Sequence, residues 1–244
     1  MSPGAAPPAH RGLTVELVGV PGAGKSRLTR SLAGSLAERG VPVTQAQAPL
    51  GPAVPVAVRL ARKAAAGAAT ALSAPRTTAR LAGAVLRSGQ PGPADVAGRL
   101  VQVLVAAQVT ARSRRREGVS LLDEGVVQAL WSVGLRGDVT PVLAALDGAR
   151  PSADLLVVVR VAPEVALARL AARPSQHSRT QLLAAGERLA ELEHGARLLD
   201  RLVDWWSAAV PADRRPVVVE GTDAGAADRA ALVDRVCATL ATRR

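Results

Sequence analysis

Phenylalanine and tyrosine are absent from this chain of 244 residues, and only three tryptophans occur. A platform that stacks unpaired bases needs aromatic rings in number, so nucleic acid is not an expected partner. The single cysteine, Cys237, excludes a disulfide within the chain and a cysteine metal site. His10, His177 and His194 are scattered and show no metal-ligand spacing. The opening MSPGAAPPAHRG lacks the apolar run of a secretory signal, so residues 1–12 read as a disordered tail. The uncharged stretch from Gly40 to Val58 is interrupted by Pro42, Pro49, Pro52 and Pro55, which argues against a membrane-spanning helix. A cytoplasmic location is the resulting expectation. Lysine is scarce as well: Lys25 and Lys63 are the whole supply in a chain rich in arginine.

Apolar residues make up 48 % of the chain, enough for a core built from Ala, Val and Leu. The length suits one α/β domain over residues 13–244. The net charge of +11 attracts anions of many kinds. It is unevenly spread. No carboxylate lies between Glu38 and Asp95, whereas Arg39, Arg59, Arg62, Lys63, Arg76, Arg80 and Arg87 do. The segment 54–88 therefore reads as a basic helical insertion, suited to packing, to covering a substrate, or to peripheral membrane contact.

Strand and helix patterns alternate along the chain. Strands are expected at Leu13–Val18, Val41–Gln47, Val119–Leu122, Leu155–Val161 and Val217–Glu220. Helices are expected from Lys25 to about Arg39, at Val54–Ser73, Pro75–Ser88 and Ala94–Glu117, and up to Trp131. They resume at Glu164–Ala172, Gln181–Val210 and Ala227–Thr242. Such alternation implies a parallel sheet of about five strands with right-handed crossovers, flanked by helices. Trp205 and Trp206 are expected to anchor a helix in the core.

The sharpest motif is GVPGAGKS, comprising Gly19, Val20, Pro21, Gly22, Ala23, Gly24, Lys25 and Ser26. It matches G-x-x-x-x-G-K-[ST] at every fixed position, between a buried strand and a helix. The glycines let the backbone bend so that successive N–H groups converge on phosphate oxygens at a helix N-terminus. Lys25 would reach the β and γ oxygens, and the Ser26 hydroxyl would ligate Mg²⁺. Arg27 follows directly and counts among the nucleotide-binding candidates. ATP with Mg²⁺ is the expected ligand.

The second constellation is Leu121-Leu122-Asp123-Glu124-Gly125. A carboxylate at the C-terminal end of a strand stands where open α/β sheets bind ligands. Asp123 would hold Mg²⁺ through water; a plain helix cap is the other reading. Glu124 would orient an attacking water, accept a proton from a substrate hydroxyl, or simply be solvated. The third is VAPEVALARLAAR, Val161 to Arg173, followed by Arg179. Arg169 and Arg173 are four apart, hence on one helix face. Arginines beside a phosphate loop stabilise charge on a transferring phosphoryl group; a solvated basic face is the alternative.

Taken together, these three motifs resemble the nucleoside and nucleotide kinase branch of P-loop proteins, nearest to thymidylate-kinase-like enzymes. The resemblance implies a P-loop three-layer sandwich. It implies phosphate and metal handling by Lys25, Ser26 and Asp123, and a lid at about 173–181 with Arg169, Arg173 and Arg179. The late VVVEGTDAG is similar to the family's last strand and adenine-side loop, which implies Gly221 and Thr222 near the base. Glu124 stands where thymidylate kinases have arginine, and Gln102 and Gln108 are the polar candidates facing a substrate. The expected function is transfer of the γ-phosphoryl group of ATP to a small acceptor, a nucleotide or another metabolite. An ATP-dependent switch with a macromolecular partner is the rival reading, and a homodimer is compatible with either.

Overall fold

The computed structural model describes residues 12–46, 54–146, 153–173, 179–221 and 226–243. Five strands form one wholly parallel sheet. They are β1 (Leu13–Val18), β2 (Val43–Gln45), β3 (Val119–Leu122), β4 (Leu155–Arg160) and β5 (Val217–Glu220), in the order β2-β3-β1-β4-β5. The three central strands are buried along nearly their whole length. That is why they read as unbroken apolar runs rather than alternating ones. The order reverses beside β1, so the chain leaving β1 enters the crevice where such sheets hold ligands.

Nine helices accompany the sheet among the described residues: α1 (Lys25–Glu38), α2 (Val56–Ser73), α3 (Pro75–Arg87), α4 (Pro93–Ser113), α5 (Val126–Gly134), α6 (Thr140–Ala145), α7 (Pro163–Ala171), α8 (Ala185–Ala209) and α9 (Ala226–Ala241). The inserted pair α2–α3 packs on α4, and α3 also on α6; Ala66, Leu81, Ala84 and Val85 are buried there. Val58, Leu60 and Leu72 of α2 stay exposed. Trp206 is fully buried in α8, as an anchoring role requires. None of the helices among the described residues is long and apolar enough to cross a membrane.

Several expected boundaries move. β2 covers only three residues, because Pro42 has no N–H to give; its carbonyl instead accepts the Val119 N–H at 2.8 Å. α4 stops at Ser113, not Glu117, as Arg114–Arg116 crowd like charges ahead of Gly118, whose φ of +78° turns the chain into β3. Helix α6 was not expected. Asp138 starts it by accepting the Thr140 N–H at 2.9 Å, with Pro141 in its first turn. Gly12, expected in the tail, is buried; residues 1–11 lie outside the described residues.

The end of the sheet opposite the Gly19–Gly24 loop is closed by one carboxylate. Asp154 is 3 % exposed and accepts the Thr14 N–H at 2.9 Å and the Thr14 hydroxyl at 2.7 Å. Arg243 grips it with two bonds, of 3.0 and 2.5 Å, and donates to the Gly12 carbonyl. The chain terminus is thereby tied to β1 and β4. Arg114 stands further off, at 3.8 Å, so removing Arg243 strips the buried carboxylate of its close cation. Arg243→Ala is expected to lower unfolding free energy by about 3 kcal/mol, read from urea denaturation. A loss under about 0.5 kcal/mol would show that the pair does not carry this end of the sheet.

Candidate functional site

The loop Gly19–Gly24 bends because glycine occupies the positions that other residues avoid. Gly22 has φ +86° and Gly24 has φ +99°, both left-handed. Space is as tight as conformation. A Cβ on Gly19 would stand 2.5 Å from the Val159 carbonyl oxygen, and one on Gly22 would stand 2.5 Å from that of Ala166. The loop is therefore pressed against the end of β4 and the first turns of α7. A turn bond from the Ala23 N–H to the Val20 carbonyl, 3.1 Å, closes it. Helix α1 starts at Lys25 with Gly24 as its cap, so its first N–H groups open towards the loop.

Lys25 folds over this loop. Its ammonium donates to the carbonyls of Gly19 at 2.6 Å and Val20 at 3.3 Å. Burial lowers its pKa to about 8; the carboxylates of Glu124 and Asp123 act the other way, and Arg173 adds to the lowering. The ammonium and the two acidic residues after β3 thus share one electrostatic neighbourhood. Asp123 is half-buried and Glu124 exposed, while Ser26 and Arg27 are exposed at the start of α1.

The arginines divide. Arg169 points at the back of the loop: its Nη1 donates to the Gly221 carbonyl at 3.0 Å and lies 3.5 Å from the carbonyls of Gly22 and Ala23. It joins the loop to the end of β5. Gly221 completes that joint; a Cβ there would fall 2.3 Å from the Ala23 carbonyl oxygen. Arg173 is exposed one turn further on, with its charge felt at Lys25. Arg179 begins a short 3₁₀ turn, Arg179–Leu182. Thr222, like residues 174–178 of the expected lid, lies outside the described residues. Gln102 and Gln108 are both engaged within the fold, Gln102 with Arg99 and Ser132, Gln108 with Thr70.

Two residues of this region were not singled out in the sequence. Glu16, in the middle of β1, is fully buried and accepts the Gln128 N–H at 3.0 Å. The Gln128 side chain accepts the Gly19 N–H at 3.2 Å. A lone carboxylate inside the apolar run LTVELV was the available signal. Burial raises the Glu16 pKa to about 7, against the N–H groups of Gln128, Val127 and Val126, which favour the charged form.

The raised value fixes a sign. The folded protein holds this proton more tightly than the unfolded chain, so stability falls as pH rises from about 4.5 to about 7, and the loss is complete above that. E16Q cannot ionise and escapes the loss. Its melting temperature relative to the wild type is expected to climb between about pH 5 and about pH 8, measured in parallel thermal scans. A constant offset would contradict the assignment.

No protein-family model matches the sequence, and no curated protein matches it. Solved structures do match in shape. A deoxyadenosine kinase from M. mycoides with bound dATP aligns with a TM-score of 0.52 and 12 % identity, over 92 % of this chain and 100 % of the other. The same enzyme with the products dCMP and a flexible dCDP gives 0.52 and 12 %, over 94 % and 100 %. A shikimate kinase from Acinetobacter baumannii in complex with shikimate fits less well, at 0.45 and 17 %, over 96 % of each chain. This chain has the fold of the P-loop kinases.

Proposed function

We propose that this protein is a phosphotransferase that moves the γ-phosphoryl group of ATP to a small acceptor. The observation that carries the reading is the loop itself: a glycine-bent backbone with Lys25 across it and Asp123 and Glu124 acting on the same ammonium. Converging N–H groups and one compact cation are what a polyphosphate chain requires. The named ligands of the similarly folded deoxyadenosine kinase make deoxynucleosides and their phosphates the first acceptors to try.

Mg²⁺ fits the donors offered. Ser26 and Asp123 would hold it, and it would supply neutralisation of charge on the phosphate oxygens. One hydroxyl and one carboxylate are hard oxygen donors that leave room for the waters and phosphates this ion keeps. The chain's own residues do the rest. Lys25 and the α1 N-terminus hold the β and γ phosphates. Glu124, exposed beside Asp123, would take the acceptor's proton. Arg173 supplies positive charge as the phosphoryl group leaves ATP. Arg169 keeps the loop in shape from behind.

The same exposed Glu124 would suit a water nucleophile, which is the reading of an ATP-dependent switch. Incubation with γ-labelled ATP and a panel of acceptors separates the two: a kinase leaves the label on one acceptor, a switch releases it as free phosphate.

The two arginines give distinct expectations. Arg173→Ala should lower turnover about a hundredfold while ATP affinity stays within about threefold. Arg169→Ala should weaken ATP binding about tenfold as well, because the cradle loses its brace. Full turnover in Arg173→Ala would remove that residue from the transfer step. Lys25→Met should weaken ATP binding at least about tenfold by calorimetry, and unchanged binding would remove the phosphate reading.

A further inference from the structure

Most buried polar groups away from the phosphate loop serve the fold alone. Asp154 ties down a terminus, and the Thr110 and Ser88 hydroxyls bond carbonyls of their own helices. Glu16 differs, because the hydrogen bonds that begin at its carboxyl end on the phosphate loop.

Helix α5 opens directly after Asp123-Glu124-Gly125 and has no side-chain cap of its own. Its first N–H groups need acceptors. Glu16 supplies one from the neighbouring strand, through Oε1 to the Gln128 N–H. The carboxyl is also wedged into the turn. A Cβ on Gly125 would stand 2.2 Å from Glu16 Cδ and 2.4 Å from Oε2, so the turn carrying the two acidic residues lies directly on this group. Oε2 has no hydrogen-bond partner among the described residues. A buried carboxyl with an unmet oxygen costs stability, which points to a role other than holding the fold.

Gln128 then connects two places. Its N–H donates to Glu16, and its Oε1 accepts the Gly19 N–H. Gly19 is engaged from both ends, because its carbonyl accepts the Lys25 ammonium. A continuous path therefore runs from Glu16 through Gln128 and Gly19 to Lys25. The same Glu16 fixes where α5, and so the Asp123-Glu124 turn before it, begins.

We propose that Glu16 and Gln128 are positioning residues that hold Lys25 and the Asp123-Glu124 turn at one spacing, as a strut between the phosphate loop and α5. This rests on the reading of the loop as a phosphate cradle. Neither residue touches substrate. Both act through Gly19 and the first turn of α5. Phosphoryl transfer depends on placement to within an ångström, so loosening the strut should cost turnover far more than nucleotide binding.

The test uses the full chain and two readouts. Q128L removes the acceptor for the Gly19 N–H with little change in volume. Hydrogen exchange followed by mass spectrometry is expected to show the amides of residues 19–25 exchanging at least about tenfold faster in Q128L, with β4 and β5 unchanged. With an acceptor found, kcat should fall about a hundredfold while KM for ATP moves less than about threefold. E16Q keeps an acceptor for the Gln128 N–H and should retain both properties, whereas E16A should lose both. If E16A does not fold, Q128L and E16Q decide the matter. Wild-type exchange at 19–25 in Q128L would overturn the proposal. So would a kcat that falls only in step with a lost melting temperature. Faster exchange at 19–25 with no acceptor phosphorylated by the wild type would leave the strut standing and sink the phosphotransfer reading instead.

Discussion

The Gly19 carbonyl lies 2.6 Å from the Lys25 ammonium, across a turn that only glycine can make. That contact stands at the reversal point of a five-stranded parallel sheet, where β1 gives way to α1. It requires the backbone to come closer to its neighbours than any side chain would permit. The positions of Gly19, Gly22 and Gly221 are set by carbonyls of Val159, Ala166 and Ala23 lying within 2.5 Å of where a methyl would be. The cradle is thus a consequence of packing between three strand ends and α7, and not a property of the loop alone.

Electrostatics follow from the same packing. Burial makes the Lys25 ammonium easier to deprotonate, and the acidic pair after β3 counteracts this. On the proposed reading, a cation kept partly desolvated beside carboxylates would exchange its carbonyl partners for a polyphosphate. Arg169 reinforces the arrangement from outside by bonding the Gly221 carbonyl. Arg173, just past the end of α7, is exposed instead. The two arginines share a sequence periodicity but not an environment.

Much of this was legible in the sequence. The strands LTVELV and LLVVVR are apolar enough to be buried on both faces, and GVPGAGKS between strand and helix specifies the glycine-bent loop that stands there. What escaped was set by tertiary contacts. Helix α6 is six residues long and depends on Asp138 for its start, too short for a periodic signal. The end of α4 is decided by the positive φ of Gly118, which the text ARSRRREG only hints at. Arg169 matched a lid pattern, yet its orientation depends on how closely β5 approaches the loop. Glu16 and Gln128 lie 112 residues apart, and no local pattern joins them.

The central claim is that the backbone of residues 19–26 is a cradle for a triphosphate. The most direct measurement is the change in amide NMR signals of Gly22, Gly24 and Lys25 on adding Mg²⁺ with ATP or, separately, with AMP. Large shifts confined to this loop and the start of α1, seen with ATP and much smaller with AMP, are predicted. Undisturbed loop amides at saturating ATP, or equal responses to the two nucleotides, would contradict it.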